Sequence, residues 1–178
     1  MPDLNDLPKR TRVFVDTNIF DYALSGKSRT CASFLERVAL REVTAYVNTQ
    51  VISDLIHKLM IKEAFKKQLI SKATAVKLKE CFKQDRAKAA QLIEYQQHIE
   101  KLLSIGLRVV PITMKLLIET KLERANYALL TGDSIHLGTM HRCQMNRRNA
   151  PLYDIVTHDG DFALIAGVTI WQPQDVIH

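Results

Sequence analysis

Apolar and polar residues along this chain fall into blocks that switch between a strand-like and a helix-like period. Val13-Phe14-Val15 is an unbroken β-branched and aromatic run that stops at Asp16, which reads as a strand buried on both faces with a carboxylate at its C-terminal end. Ser28 is placed to cap a helix whose apolar positions Ala32, Leu35, Val38 and Ala39 follow the helical period. Residues 42–48, with Val43, Tyr46 and Val47, read as a short strand. From Thr49 or Gln50, the set Val51, Ile52, Leu55, Ile56 and Leu59 predicts an amphipathic helix. Asp54 falls at the edge of that buried face, from which its carboxylate can turn toward a cleft.

Residues 62–104 contain neither Gly nor Pro and are rich in Lys, Ala, Leu, Glu and Gln, so they predict two helices, broken near 71–74, that form an arm or clip. Gly106 stops this pattern. Residues 107–112 read as a strand that Pro111 places at a sheet edge or brings to its end. A helix is expected over 113–128. Thr131 and Gly132 punctuate the chain before a further helix over 133–146, a basic polar loop over 142–149 with Pro151 beyond it, a strand at 154–157 and a last short strand at 168–171. Strands alternating with helices predict an α/β fold, a single domain over 12–178 after an N-terminal extension at 1–11, with a central, mostly parallel sheet flanked by helices.

A length of 178 residues suits one domain with a substantial core, and 47% hydrophobic and 25% charged residues exclude a disordered or fibrous chain. No apolar stretch reaches the length of a membrane span and residues 1–11 lack the apolar core of a secretory signal, so a cytoplasmic location is expected. Cys31, Cys81 and Cys143 are odd in number and far apart, which predicts reduced thiols and no zinc-type pair. The formal charge of +6 is uneven: residues 62–101 hold ten Lys or Arg against five Asp or Glu. Such a basic segment is the footprint of a polyanion binder, although a lysine-rich helical face also serves simply as a solvated surface.

The informative chemistry is in four acids beside apolar neighbours: Asp16, Asp54, Asp133 in Thr131-Gly132-Asp133-Ser134-Ile135-His136-Leu137, and Asp159 in Thr157-His158-Asp159-Gly160-Asp161-Phe162. A buried carboxylate has to be paired, hydrogen-bonded or bound to a cation. Carboxylates from separate places are what a Mg²⁺ or Mn²⁺ phosphoryl-transfer site needs. Each acid also has an ordinary structural reading: Asp16 as the cap of the turn that follows it, Asp133 as a helix cap, Asp54 as a partner of Lys58 one turn on, Asp159 in an Asp-Gly turn. His57, His98, His136, His141, His158 and His178 show no metalloprotease spacing, and His158 beside Asp159 reads as a substrate contact or a solvated loop residue. No P-loop, dinucleotide fingerprint or nucleophile elbow occurs.

In order and context these motifs resemble the PIN domain family of nucleases over about residues 12–173. Val15-Asp16-Thr17-Asn18 is similar to the family's first motif, Asp133 opening a helix to its third, and Thr157-x-Asp159-x-Asp161-Phe162 to its fourth. The second departs: Asp54 stands where the family usually has Glu, and the shorter acid reaches a metal through water or not at all. The resemblance implies a Mg²⁺-dependent endoribonuclease in which Mn²⁺ substitutes, with Asp16, Asp54, Asp133 and Asp159 as catalytic metal ligands, Thr17 and Asn18 orienting the cluster and Asp161 as an auxiliary acid. In size the chain is similar to VapC-type toxins, which implies an antitoxin partner and a homodimer. The basic segment, through Lys66, Lys67, Lys77 and Lys79, is expected to guide RNA, with Arg142, Arg147 and Arg148 as the other path. Two other readings stay open, a catalytically impaired PIN scaffold that binds RNA or protein and a structure-selective DNA nuclease.

Overall fold

Val13, Phe14 and Val15 are completely buried. The strand they form, β1 (Arg12–Val15), is the middle of a five-stranded sheet in a computed structural model that describes residues 1–142 and 152–177. The other strands are β2 (Thr44–Asn48), β3 (Arg108–Val110), β4 (Asp154–Val156) and β5 (Thr169–Trp171), in the order β3-β2-β1-β4-β5 and all parallel. Phe14 stands opposite Tyr46 on one side and Ile155 on the other. The chain therefore runs outward from β1 through β2 to β3, then returns to add β4 and β5 on the opposite side. That reversal opens a crevice beyond the carboxyl ends of β1 and β4, the place where open α/β sheets bind ligands.

Helices α1 (Thr17–Leu24), α2 (Arg29–Ala39), α3 (Thr49–Lys66), α4 (Ala75–Gln84), α5 (Glu94–Ser104), α6 (Met114–Glu119), α7 (Lys121–Tyr127) and α8 (Thr131–Arg142) connect and cover the strands. Ser28 caps α2 as its spacing predicts, accepting from the Cys31 N–H at 3.0 Å. Its hydroxyl in turn donates to Asp175, whose other oxygen accepts from the Arg29 and Thr30 N–H groups. The C-terminal segment thus completes the α2 cap. Pro111 follows β3 at the sheet edge, where a missing N–H breaks no ladder.

The structure differs from the sequence pattern at three helices. α1 starts directly after Asp16, where the pattern predicts only a turn, because Asp16 itself is the cap. The helix expected over 113–128 divides at Thr120, which is fully buried against α8: a Cβ on Gly138 would meet the Thr120 methyl at 2.5 Å. Finally, α8 begins at Thr131, so Asp133 lies inside its first turn and is not its cap. The end expected for this helix at 146, the loop over 142–149 beyond Arg142, Cys143, Arg147, Arg148, Pro151 and His178 lie outside the described residues. Cys31 and Cys81 are buried free thiols, and burial pushes the Cys31 thiol up to about 11.

Residues 1–11 pack onto the domain. Leu4 and Leu7 are buried in the main core, and the Leu4 N–H donates to the Gln172 carbonyl beyond β5. The basic segment has a small core of its own in Ala64, Ile70, Leu78, Cys81 and Leu92, while Ile99 and Leu102 of α5 join the main one. The break expected over 71–74 falls before α4, with Thr74 as cap.

Buried Glu63 joins the two parts. α5 has no capping side chain of its own. The Glu63 carboxylate supplies one, accepting from the N–H groups of Ile93, Glu94 and Tyr95 at 2.9, 3.1 and 2.9 Å and from Lys67 Nζ at 2.6 Å. Burial raises its pKa, but the Lys67 ammonium and the three N–H donors outweigh it and hold the carboxyl below the usual range. A depressed acid stabilises the fold above its unfolded pKa, about 4.3 for Glu, and loses that contribution as pH falls through the folded value. Glu63→Gln is expected to lower the unfolding free energy by about 1–3 kcal/mol at neutral pH. Denaturant melts should show the gap from wild type closing below about pH 4; a gap independent of pH would contradict the assignment.

Candidate active site

Asp16 ends β1 at the crevice, and the ladder continues past the strand because its N–H donates to the Val156 carbonyl at 3.0 Å. Its carboxylate is held from three directions. Oδ1 accepts from the Thr17 N–H at 2.5 Å, which caps α1; Oδ2 accepts from Asn18 Nδ2 and from the Thr157 hydroxyl, both at 2.7 Å. Thr157 is wholly buried just past β4, and its Oγ1 accepts from Asn18 Nδ2 at 3.1 Å and from the Asp159 N–H at 3.0 Å. Asn18 Oδ1 then takes the His158 N–H at 3.3 Å. Two segments far apart in the chain are thereby locked around one carboxylate.

Asp16, Thr17, Asn18, Asp54, Asp133 and Asp159 line one open cleft of about 350 Å³. The ordinary and the functional readings of two acids coexist. Asp16 caps α1 with one oxygen, and Asp159 Oδ1 accepts the Asp161 N–H at 3.1 Å in a local turn while its residue faces the cleft. Asp54 forms no ion pair with Lys58 among the described residues; both line the cleft wall contributed by α3. Burial pushes the Asp133 carboxyl above its ordinary range, and the charges of Asp159, Asp161 and Asp16 push it further. Asp161 does not line the cleft but adds its charge there. The lining also includes Gln50, His57, Lys58, Gly132 and His136, which the sequence motifs did not single out as site residues. A Cβ on Gly132 would lie 3.2 Å from Gln50 Nε2, so glycine permits this approach of α8 to α3.

His136 is the least obvious of these. It is 5% exposed on α8, a helix whose residues 134–140 are all buried, and its ring packs on Phe14 at 5.2 Å between centroids. Its Nδ1 lies 3.1 Å from Asn48 Nδ2. Asn48, itself inaccessible, caps α3 through Oδ1, which accepts the Val51 N–H at 3.0 Å. A backbone donor therefore fixes which end of the amide is oxygen, and the NH₂ end must face His136 and Thr139. Thr139 Oγ1 accepts its other hydrogen at 3.1 Å and donates to the Ile135 carbonyl at 2.6 Å. Nδ1 is left as an acceptor, so the ring proton is on Nε2. Burial holds the ring below its usual pKa, against the opposing charges of Asp16 and Asp54.

The remaining residues are dispersed. His158 meets the edge of Tyr22 at 5.7 Å, His98 lines a hollow with Lys62 and Glu94, and His141 Nδ1 is 3.7 Å from Glu123. Of the lysines expected to meet RNA, Lys66 pairs with Glu94 at 2.9 Å, Lys67 with Glu63 at 2.6 Å and Lys77 with Glu80 at 2.7 Å. Lys79 lines a separate cavity. None of the four lines the acid cleft. Arg142 is held by Glu123 and Glu119.

The chain matches the PIN domain over residues 13–168 and belongs to that family, whose members are generally nucleases. No curated protein matches it. Two solved structures are similar in fold, a toxin-antitoxin complex from Klebsiella pneumoniae and VapBC2 from Rickettsia felis bound to a DNA fragment from its promoter. The first is 19% identical with a TM-score of 0.54, over 88% of this chain and 95% of the other; the second is 17% identical with a TM-score of 0.54, over 90% and 98%.

Nitrogen NMR of the histidine rings tests the Asn48 relay. His136 should appear as the neutral Nε2–H form and remain so below pH 6.5, the ordinary midpoint of a histidine. Asn48→Ala should lower stability by about 2–3 kcal/mol through loss of the cap and the buried hydrogen bonds. Asn48→Asp keeps the cap but calls for a proton on Nδ1. An Nδ1–H form in the unaltered protein would contradict the arrangement.

Proposed function

We propose that this protein is an endoribonuclease that hydrolyses RNA phosphodiesters in the acid cleft with Mg²⁺, for which Mn²⁺ can substitute. The supporting observation is that Asp16, Asp54, Asp133 and Asp159, from four separated stretches, line one open crevice, where burial and then the charges of Asp159, Asp161 and Asp16 push the Asp133 carboxyl above its ordinary range. Among the described residues no group of three or more His, Cys, Asp or Glu is gathered closely enough to enclose an ion by itself. Mg²⁺ does not need such a cage: it keeps several waters and uses one or two carboxylates together with substrate phosphate oxygens. An all-oxygen donor set suits that ion.

In this reading Asp16, Asp133 and Asp159 would hold the metal, and the exposed, shorter Asp54 would act through water. When bound, a divalent ion supplies an acidified water and neutralises charge on the phosphate. Thr17, Asn18 and Thr157 keep the Asp16 oxygens in place. Asp161 raises the negative potential. Lys58 offers a cation to substrate phosphate at the cleft wall, and neutral His136 adds no charge of its own.

The two similar structures are toxin-antitoxin complexes, which supports reading this chain as the toxin of such a pair, acting in the cytoplasm as a homodimer restrained by a small antitoxin. Met114, Ile118, Leu122 and Leu130 are 55–75% exposed along α6, α7 and the turn before α8, an apolar surface suited to a protein partner. No helix among the described residues is long and apolar enough to cross a membrane. The impaired-scaffold reading draws on Asp54 and makes the opposite prediction for cleavage.

Incubation with tRNA, ribosomal RNA and single-stranded DNA, with Mg²⁺, Mn²⁺ or EDTA, tests chemistry and substrate together. Metal-dependent cleavage of RNA is expected, with Asp16→Asn and Asp133→Asn inactive but folded, Asp54→Ala less impaired and Asp54→Glu as active as wild type or more so. Full activity in Asp16→Asn would end the nuclease reading. The charges of Asp159, Asp161 and Asp16 oppose ionisation of Asp133, so relief of that repulsion should make Mn²⁺ or Mg²⁺ raise the melting temperature of wild type but not of Asp16→Asn.

A further inference from the structure

α3 leads from the acid cleft into a second hollow. His57 lines both, with Asp54 and Lys58 on the cleft side and Met60, one turn on, facing a cavity of about 640 Å³ against α4. From Asp54 to Met60 the helix rises only about 9 Å. Met60, Leu78 and Phe82 give the cavity an apolar wall that rests on the small core of the basic segment. Lys79, Lys83 and Arg86 supply its cations, and no Asp or Glu lines it among the described residues.

The spacing on α4 matters here. Lys79, Phe82 and Lys83 lie at i, i+3 and i+4 on α4, and Arg86, just beyond the extended Asp85 that ends the helix, lines the same cavity, so an aromatic ring stands among cations. The ion pairs separate the cations lining the cavity from others of the basic segment. Lys66, Lys67 and Lys77 are engaged by Glu94, Glu63 and Glu80, whereas Lys79, Lys83 and Arg86 are exposed and form no ion pair among the described residues. A face of unneutralised charge around an aromatic ring is the combination that binds single-stranded nucleic acid, with cations tracking the phosphates and the ring stacking a base. An acidic peptide would match the charge but would gain nothing from the ring or from an acid cleft next to it.

We propose that this cavity is the subsite for a nucleotide next to the scissile phosphate, with a base stacked on Phe82 and flanking phosphates on Lys79, Lys83 and Arg86. It rests on the reading of the acid cleft as the place of cleavage. Of the lysines named from the sequence, it keeps Lys79 and moves the path away from Lys66, Lys67 and Lys77.

The test measures binding apart from cleavage. The full chain carrying Asp16→Asn is titrated in EDTA with a short fluorescein-labelled oligoribonucleotide at several salt concentrations. Changing Lys79, Lys83 and Arg86 to Gln should make the log-log salt slope shallower by about 2, from about 0.7 per lost contact. Changing Lys66, Lys67 and Lys77 to Gln should leave it unaltered. Phe82→Leu, which keeps apolar volume, should weaken binding roughly tenfold at constant slope, and an abasic strand should abolish that difference. An unchanged slope in the first triple variant, with melting intact, overturns the proposal, and loss of polyglutamate binding by that variant would then assign the cavity to an acidic peptide. Cleavage assays on the same substitutions in the Asp16 background keep the readings distinct. RNA bound through the cavity but never cut would sink the nuclease and spare the subsite, whereas cleavage with unaltered salt dependence would do the reverse.

Discussion

Asp16 has to be satisfied because it ends a strand with no exposed side chain before it, and the way it is satisfied organises the rest of the molecule. One carboxylate oxygen starts α1; the other is gripped by Asn18 from the same turn and by Thr157 from the end of the neighbouring strand β4. The hydrogen bonds to Thr157 span the crevice made by the reversal of strand order, so they brace the opening that the fold creates. A charged acceptor with several donors is among the stronger hydrogen-bonded arrangements available to a protein. The same bonds leave Asp16 beside the cleft in a fixed position. Structural cap and candidate ligand are one group, and a substitution there bears on both.

Asn48 plays the corresponding part on the other wall. It ends β2 as Asp16 ends β1, and it caps α3 as Asp16 caps α1. Being neutral, it can be buried completely without a cation, and its amide has donors to spare for His136 and Thr139 of α8. α3 brings Asp54 and α8 brings Asp133, so this amide holds together the two helices that complete the acid set. Gly132 and Gly138 allow α8 to lie close to Gln50 and Thr120 without displaced side chains. Two strand ends, two caps and one buried helix define the cleft.

Local chemistry made much of this legible in the chain. The run before Asp16, the cap at Ser28, the Pro111 edge and the Thr-x-Asp-x-Asp stretch after β4 each signal their role within a few residues, and the stretches around Asp16, Asp133 and Asp159 carried the family resemblance that the PIN domain match supports. What escaped depends on partners distant in sequence. Thr157 stands in a recognisable motif, yet its bond to Asp16 exists only because β1 and β4 are neighbours. His136 resembles any core residue of a helix until Asn48 is placed against it. The division at Thr120 coincides with the approach of Gly138, and residues 1–11 carry no pattern that predicts Leu4 and Leu7 in the core. The lysines were the least legible: a basic run has a net charge in sequence, but only the fold shows which cations are already paired with Glu63, Glu80 and Glu94.

That distinction bears on how a site of gathered aspartates can accept a polyanion. Bulk charge cannot settle it, because exposed charges more than about 10 Å apart are largely screened at ordinary salt. An ammonium group already paired with a neighbouring carboxylate contributes little field beyond its partner. Attraction must come from unpaired cations near the cleft, and among the described residues the wall shared through His57 brings Lys79, Lys83 and Arg86 there, while Lys58 stands on the cleft itself. An acidic cleft bordered by such cations separates two tasks that one charge could not perform. In the proposed reading the carboxylates are free to gather a cation, and the flanking phosphates of the substrate would be held just outside their reach.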